Sequence, residues 1–277
     1  MRQTSGSMLC PSCRKLISVS EPKCPFCGTP NPSLFGYAPG IQRLVTQHLD
    51  FTRIITITCV GLYVAALVLQ PEAIAEGFQR LPFGLLAPGS RALVQLGMTS
   101  GEIMRAGWWW TLLTAIYLHG GLLHIFFNLM WVRDLGPAVG NVFGPARAFL
   151  IFSFAGAIGF VVSNLASGNP TVGASGSIFG LLAALIVYSR RTGSPMSTQL
   201  WQWAGLMFVM GFLMSSVNNW AHAGGFAGGW IMATVMPASH EKRESLWIQI
   251  AALALLAITL LGFVMSFINV TRMLLGS

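Results

Sequence analysis

The sequence predicts an all-α polytopic membrane protein, with seven transmembrane helices behind a small N-terminal zinc-ribbon-like segment. Three observations carry that expectation. Of 277 residues, 54% are hydrophobic and 9% charged, against about 25% charged in water-soluble proteins, and the mean hydropathy is +0.66. Between residues 148 and 240 the only charged side chains are Arg190 and Arg191, too few to cover a soluble surface. Four of the five cysteines fall in two C-x-x-C pairs near the start of the chain.

The cysteine pairs come first. Cys10-Pro-Ser-Cys13 and Cys24-Pro-Phe-Cys27 are knuckles able to set four thiolates tetrahedrally around one Zn²⁺. Gly28 follows the second knuckle, where the lack of a Cβ lets backbone amides approach the sulfurs. So short a segment has too little apolar area to fold alone, and a structural zinc would supply the missing free energy. A disulfide pair or a redox C-x-x-C is the alternative; a cytoplasmic location disfavours the first, and two knuckles exceed what the second needs. Such a ribbon is suited to a cytoplasmic protein partner, to stability or to regulation. The first 50 residues lack a 7–15-residue apolar run, so no cleavable signal is expected.

A bilayer core of about 30 Å needs about 20 apolar residues in a helix. Seven stretches qualify: roughly 53–70, 119–137, 146–165, 174–190, 199–217, 220–237 and 246–270. Cys59 in the first reads as an inert apolar filler. The mixed stretch 71–118 contains Trp108-Trp109-Trp110 and reads as an interfacial insertion, because indoles favour the headgroup level. With the N-terminus inside, twelve of the sixteen Lys and Arg residues fall on the cytoplasmic side; only Arg80, Arg91, Arg105 and Arg272 fall opposite. That bias predicts an N-in topology with the C-terminus outside. The formal charge of +8 is scattered between spans, with no dense stripe of the kind that tracks phosphates, so no nucleic-acid partner is expected.

Polar groups inside apolar spans are costly and point to function. Gly173-Ala174-Ser175-Gly176 has a nucleophile-like pattern, although with 31 glycines it equally suits a small-residue packing seam. His222, in Ala221-His222-Ala223-Gly224-Gly225, could be a structural histidine. Topology brings them together. In an N-in protein the second, fourth and sixth spans all start at the outer face, and they carry His124 with Asn128, Ser175, and His222 respectively. At 1.5 Å per residue all four lie within roughly 15 Å of the outer helix ends. Serine needs a base to take its proton, and His222 is the candidate. A serine amide at a helix N-terminus favours a developing anion. His124 and Asn128, spaced i, i+4, project from one face and could complete an oxyanion hole. No Asp or Glu lies between Asp134 and Glu241, so the expected unit is a Ser/His dyad.

These stretches, in this order on the second, fourth and sixth spans, resemble the rhomboid family of intramembrane serine proteases. The resemblance covers roughly residues 50–237. It implies a six-helix core with Ser175 as nucleophile, His222 as general base, and His124 and Asn128 stabilising the oxyanion. It also implies a supporting role for His119, with a structural or interfacial role as the alternative. The family's first external loop commonly carries a Trp-Arg pair, whereas here Trp110 precedes Thr111. The span after residue 245 is similar to the additional helix of some members. Span 5, with Trp201, Trp203, Phe208 and Phe212, is by the same analogy a lateral gate; equally, those are lipid-facing aromatics.

The expected organisation is a ribbon over 1–32, a linker over 33–52, a protease core over 53–237, and a cytoplasmic loop with the additional helix over 238–277. The expected activity is cleavage of transmembrane substrates near the outer face, with no catalytic cofactor, in a multi-pass protein of the bacterial inner membrane. A catalytically silent protein that binds transmembrane helices is the alternative.

Overall fold

The computed structural model describes residues 2–44, 50–78, 84–214, 217–238 and 244–275. Arg80, Lys242 and Arg243, counted above for orientation, lie outside the described residues. The chain opens with a two-stranded antiparallel hairpin, β1 (Ser7–Leu9) and β2 (Leu16–Ser18), in the register Met8↔Ile17. The short helix α1 (Ala38–Arg43) closes the ribbon. Met8, Ile17, Val19, Cys10 and Cys24 bury inward against Ala38 and against Leu246, at the start of the last helix. Alternation along both strands aims Met8 and Ile17 into this small core and leaves Leu9 and Leu16 exposed.

Helix α2 (Phe51–Leu69) is capped by Asp50, whose carboxylate accepts from the Arg53 amide at 3.0 Å. The insertion that follows holds α3 (Glu72–Phe78), α4 (Ser90–Gln95), α5 (Gly101–Arg105) and α6 (Thr111–Thr114), the last running into a 3₁₀ turn over Ala115–Tyr117. The remaining helices are α7 (Leu122–Phe143), α8 (Pro145–Ala166), α9 (Ser175–Arg191), α10 (Met196–Leu213), α11 (Asn219–Val235) and α12 (Leu246–Leu275). Each expected span thus has its helix. The second starts three residues late because His119–Gly121 is not helical, and the chain bends by 95° between the 3₁₀ turn and α7.

By length and hydropathy alone α2, α8 and α12 can cross a bilayer, and the bent pair of α6 with its turn and α7 qualifies jointly. Helices α9 and α11 have 17 residues each, about 25 Å at 1.5 Å per residue. Their sequences are diluted by glycine and polar residues because they face protein instead of lipid. From Gly176 to Ser189 almost every α9 side chain is buried. Helices α8, α9 and α11 form the tightest group in the molecule. A Cβ at Gly225 would collide with the Gly176 carbonyl, and one at Gly229 with the Gly180 backbone, so only glycine permits this separation. Helix α10 is the least embedded, buried only at Leu200, Ala204 and Gly211; Trp201, Trp203 and Phe212 are exposed and Phe208 is half-buried.

Helix α12 packs on α8, α6, α4 and α1. Along it, Trp110 Nε1 donates to Ser266 Oγ at 2.9 Å and Gln95 Nε2 to Thr271 Oγ1 at 3.0 Å, tying the insertion to its C-terminal half. Just before its first turn, Glu244 accepts from the Arg147 amide at 2.7 Å and thereby caps α8.

Candidate active site and metal cluster

The N-termini of α7, α9 and α11 converge at the end of the bundle opposite the ribbon. Ser175 is the first residue of α9. It follows Gly173, whose φ of +125° is open to glycine alone, and whose amide donates to the Ala115 carbonyl at 2.9 Å. Four residues after its cap, Asn218, α11 delivers His222, which is buried. His222 Nε2 lies 2.9 Å from Ser175 Oγ. The ring stacks on Phe179 with centroids 4.4 Å apart and planes inclined by 24°. Its Nδ1 is buried without a hydrogen-bond partner. Among the described residues nothing acidic meets the imidazole, and an aromatic face orients it.

His124 lies beside the serine loop. A Cβ on Gly173 would meet His124 Nε2 at 2.6 Å, so this glycine also makes room for the ring. His124 Nδ1 accepts from the Gly120 amide at 3.3 Å, which leaves Nε2 as the ring nitrogen bearing hydrogen and facing the loop. Asn128 is buried, and its Nδ2 donates to the His124 carbonyl one turn back at 2.8 Å. His119 is also buried, edge-on to His124 at 5.1 Å between centroids. The structure therefore brings Ser175 and His222 into direct contact, with His124 over the loop that carries the serine, Asn128 one turn below it and His119 behind.

Two participants were not singled out in the sequence. Phe179 sits i+4 from Ser175, a spacing that puts both on one helical face, but an aromatic in an apolar helix attracts no notice. Asn218 stands one residue before the apolar run that starts at Trp220, an N-cap signal. Its side-chain oxygen accepts from the amides of Trp220 (3.1 Å) and Ala221 (3.3 Å).

At the other end, the sulfurs of Cys10, Cys13, Cys24 and Cys27 lie within 4.8 Å of one another, and all are free thiols. Cys10–Cys27 and Cys13–Cys24 are each 3.7 Å apart. A tetrahedron with metal–sulfur arms near 2.3 Å has edges of about 3.8 Å, so the donor set fits a zinc-sized ion. Arg14 and Gly28, each following the second cysteine of its knuckle, both have positive φ, which gives the two knuckles matching turns. The Thr29 hydroxyl lies 3.1 Å from Cys27 Sγ. Cys59 is a thiol buried in α2, far from the knuckles in sequence.

A family profile described as Rhomboid domain matches residues 106–239. The chain is 33% identical over 151 residues to Rhomboid protease GluP of Bacillus subtilis, covering 53% of this chain and 30% of that protein. It is 31% identical over 154 residues to Putative rhomboid protease YdcA of the same organism, covering 53% of this chain and 74% of that protein. RHOMBOID-like protein 5 of Arabidopsis thaliana is 32% identical over 163 residues, with 55% of this chain and 52% of that protein aligned. The chain thus spans less than a third of the first relative and about half of the third. Helix order, the residues gathered at the N-termini of α7, α9 and α11, and these similarities agree that the chain belongs to the rhomboid family.

Proposed function

We propose that the protein is an intramembrane serine endopeptidase that cleaves transmembrane segments of membrane proteins near the outer face. The observation that carries this reading is the 2.9 Å contact between His222 Nε2 and a serine hydroxyl at the first residue of a helix. In the proposed reaction His222 Nε2 takes the Ser175 proton as Oγ attacks the scissile carbonyl carbon. The resulting oxyanion faces the α9 N-terminus, where the Ser175 amide, His124 and Asn128 stabilise it. The imidazolium then protonates the departing amine, leaving an acyl-enzyme, and a water deprotonated by His222 hydrolyses it. A helical substrate hides its carbonyls in its own hydrogen bonds, so segments with helix-breaking or small residues near their outer end are the favoured substrates. The names of the two bacterial relatives support a proteolytic activity, and a helix-binding role would not need a serine and a histidine in contact.

The ribbon end of the bundle carries Arg147, Arg190 and Arg191 in addition to the basic residues of the ribbon itself, whereas Arg91, Arg105 and Arg272 stand toward the serine end. The balance of basic residues supports an N-in orientation; the bacterial relatives suggest a bacterial inner membrane, and the sulfur geometry supports a structural zinc held by Cys10, Cys13, Cys24 and Cys27. The test is reconstitution in liposomes with a model transmembrane substrate. The wild type is expected to cleave it once, near the outer end of the helix, and Ser175→Ala and His222→Ala are expected to cleave nothing. Cleavage by either variant overturns the assignment.

A further inference from the structure

We infer that Asn218 is a positioning residue: its side-chain amide bolts the helix that carries His222 to the loop that carries Ser175. The inference rests on the dyad proposed above. Asn218 stands four residues before His222, and Thr171 stands four residues before Ser175. Asn218 Nδ2 donates to Thr171 Oγ1 at 3.0 Å and to Ser163 Oγ on α8 at 2.7 Å. Its Oδ1 meanwhile caps α11 through Trp220 and Ala221. An amide offers two donor hydrogens and two acceptor lone pairs, and this one uses them all. One side chain therefore fixes three elements: the start of α11, the end of α8 and the loop into α9.

The far side of the bolt is anchored as well. Thr171 and Thr99 exchange backbone hydrogen bonds of 2.8 and 3.4 Å. Thr99 Oγ1, fully buried, accepts from Asn164 Nδ2 at 2.9 Å and from Thr111 Oγ1 at 3.2 Å. Ser163 and Asn164, adjacent on the last turns of α8, thus grip both ends of the bridge. A network in which nearly every hydroxyl has a defined partner holds a single geometry, whereas the serine–histidine pair itself is joined by one hydrogen bond and a stacked ring. Displacing a reacting group by about 1 Å costs on the order of a hundredfold in rate, so the distance between the two N-termini is the quantity the bolt controls.

The capping and bolting roles separate by substitution. Asn218→Ser keeps a good N-cap but is too short to bridge, while the double variant Ser163→Ala with Thr171→Val removes both acceptors and leaves α11 untouched. The measurement is the second-order rate at which a fluorophosphonate phosphonylates Ser175, read beside the melting temperature and, with a model transmembrane substrate, kcat and KM. Asn218→Ser is expected to lower the phosphonylation rate and kcat by about tenfold or more, with KM and the melting temperature nearly unchanged. The Ser163/Thr171 variant is expected to match it, and adding Asn218→Ser to that variant to cost nothing further, because both delete the same contacts. Wild-type rates in Asn218→Ser, or losses that multiply in the triple variant, overturn the bolt while leaving the dyad intact. Should Asn218→Ser fail to fold, wild-type rates in the Ser163/Thr171 variant overturn the bolt by themselves. A wild type that neither reacts at Ser175 nor cleaves fails the dyad, and the bolt with it.

Discussion

A serine hydroxyl in an apolar bundle is inert until something accepts its proton, and within reach of Ser175 that acceptor is His222 Nε2. With Nδ1 buried and unpartnered, the orientation of the ring falls to Phe179. Phe179→Leu keeps most of the apolar volume but removes the stacked face. It should lower kcat while leaving KM for a transmembrane substrate near the wild-type value, which steady-state kinetics in liposomes would show. If Asn128 serves as the proposed oxyanion donor, Asn128→Ala is expected to reduce kcat by about 10²–10³-fold; an unchanged kcat would exclude Asn128 from the oxyanion hole. Ser175, His222, His124 and Asn128 were legible in the sequence because polar groups stand out against apolar helices. Phe179 and Asn218 were not. One is an aromatic among many, and the other reads only as a cap until its donors are seen to cross to another helix.

At the scale of elements, the distance between α9 and α11 is set by backbone meeting backbone at Gly225–Gly176 and Gly229–Gly180. Gly225→Leu should force the helices apart, lower the melting temperature by several degrees and break the serine–histidine contact. Gly205→Leu on α10, where a Cβ meets nothing within 4 Å, is the matched control and should do neither. Apolar run length located the seven long helices, with edges shifted by a few residues. Helix α7 starts later than hydropathy alone predicts because Gly120 and Gly121 interrupt an apolar run without changing its hydropathy. The ribbon is tested by its metal: metal analysis should find about one zinc per chain, lost in Cys24→Ser. A full complement of metal in that variant would contradict the four-cysteine site.

Across the whole molecule the two ends are joined by α12. Its first turn buries Leu246 in the ribbon core, the preceding Glu244 caps α8, and its far half holds the insertion through Ser266 and Thr271. None of these pairings was readable from sequence, since the partners are separated by 97, 156 and 176 positions and carry no motif. Burial raises the Glu244 carboxyl above its usual value of 4.5. The folded state therefore holds that proton more tightly than the unfolded chain, and stability is lost as pH rises from the ordinary glutamate range through the raised value. Glu244→Gln, a permanent mimic of the protonated form, should melt above the wild type at pH 8, with the gap closing as the pH is lowered toward 5. A gap that widens on acidification would contradict the buried, proton-favouring environment.

The most direct test of the central claim is a site map of covalent modification. The folded wild-type protein is treated with a fluorophosphonate in lipid, digested and sequenced by mass spectrometry. A base-activated serine at the α9 N-terminus predicts one adduct, on Ser175, that disappears in His222→Ala. Folded protein that stays unmodified, or that carries its adduct on another hydroxyl or keeps it without the imidazole, would contradict the account.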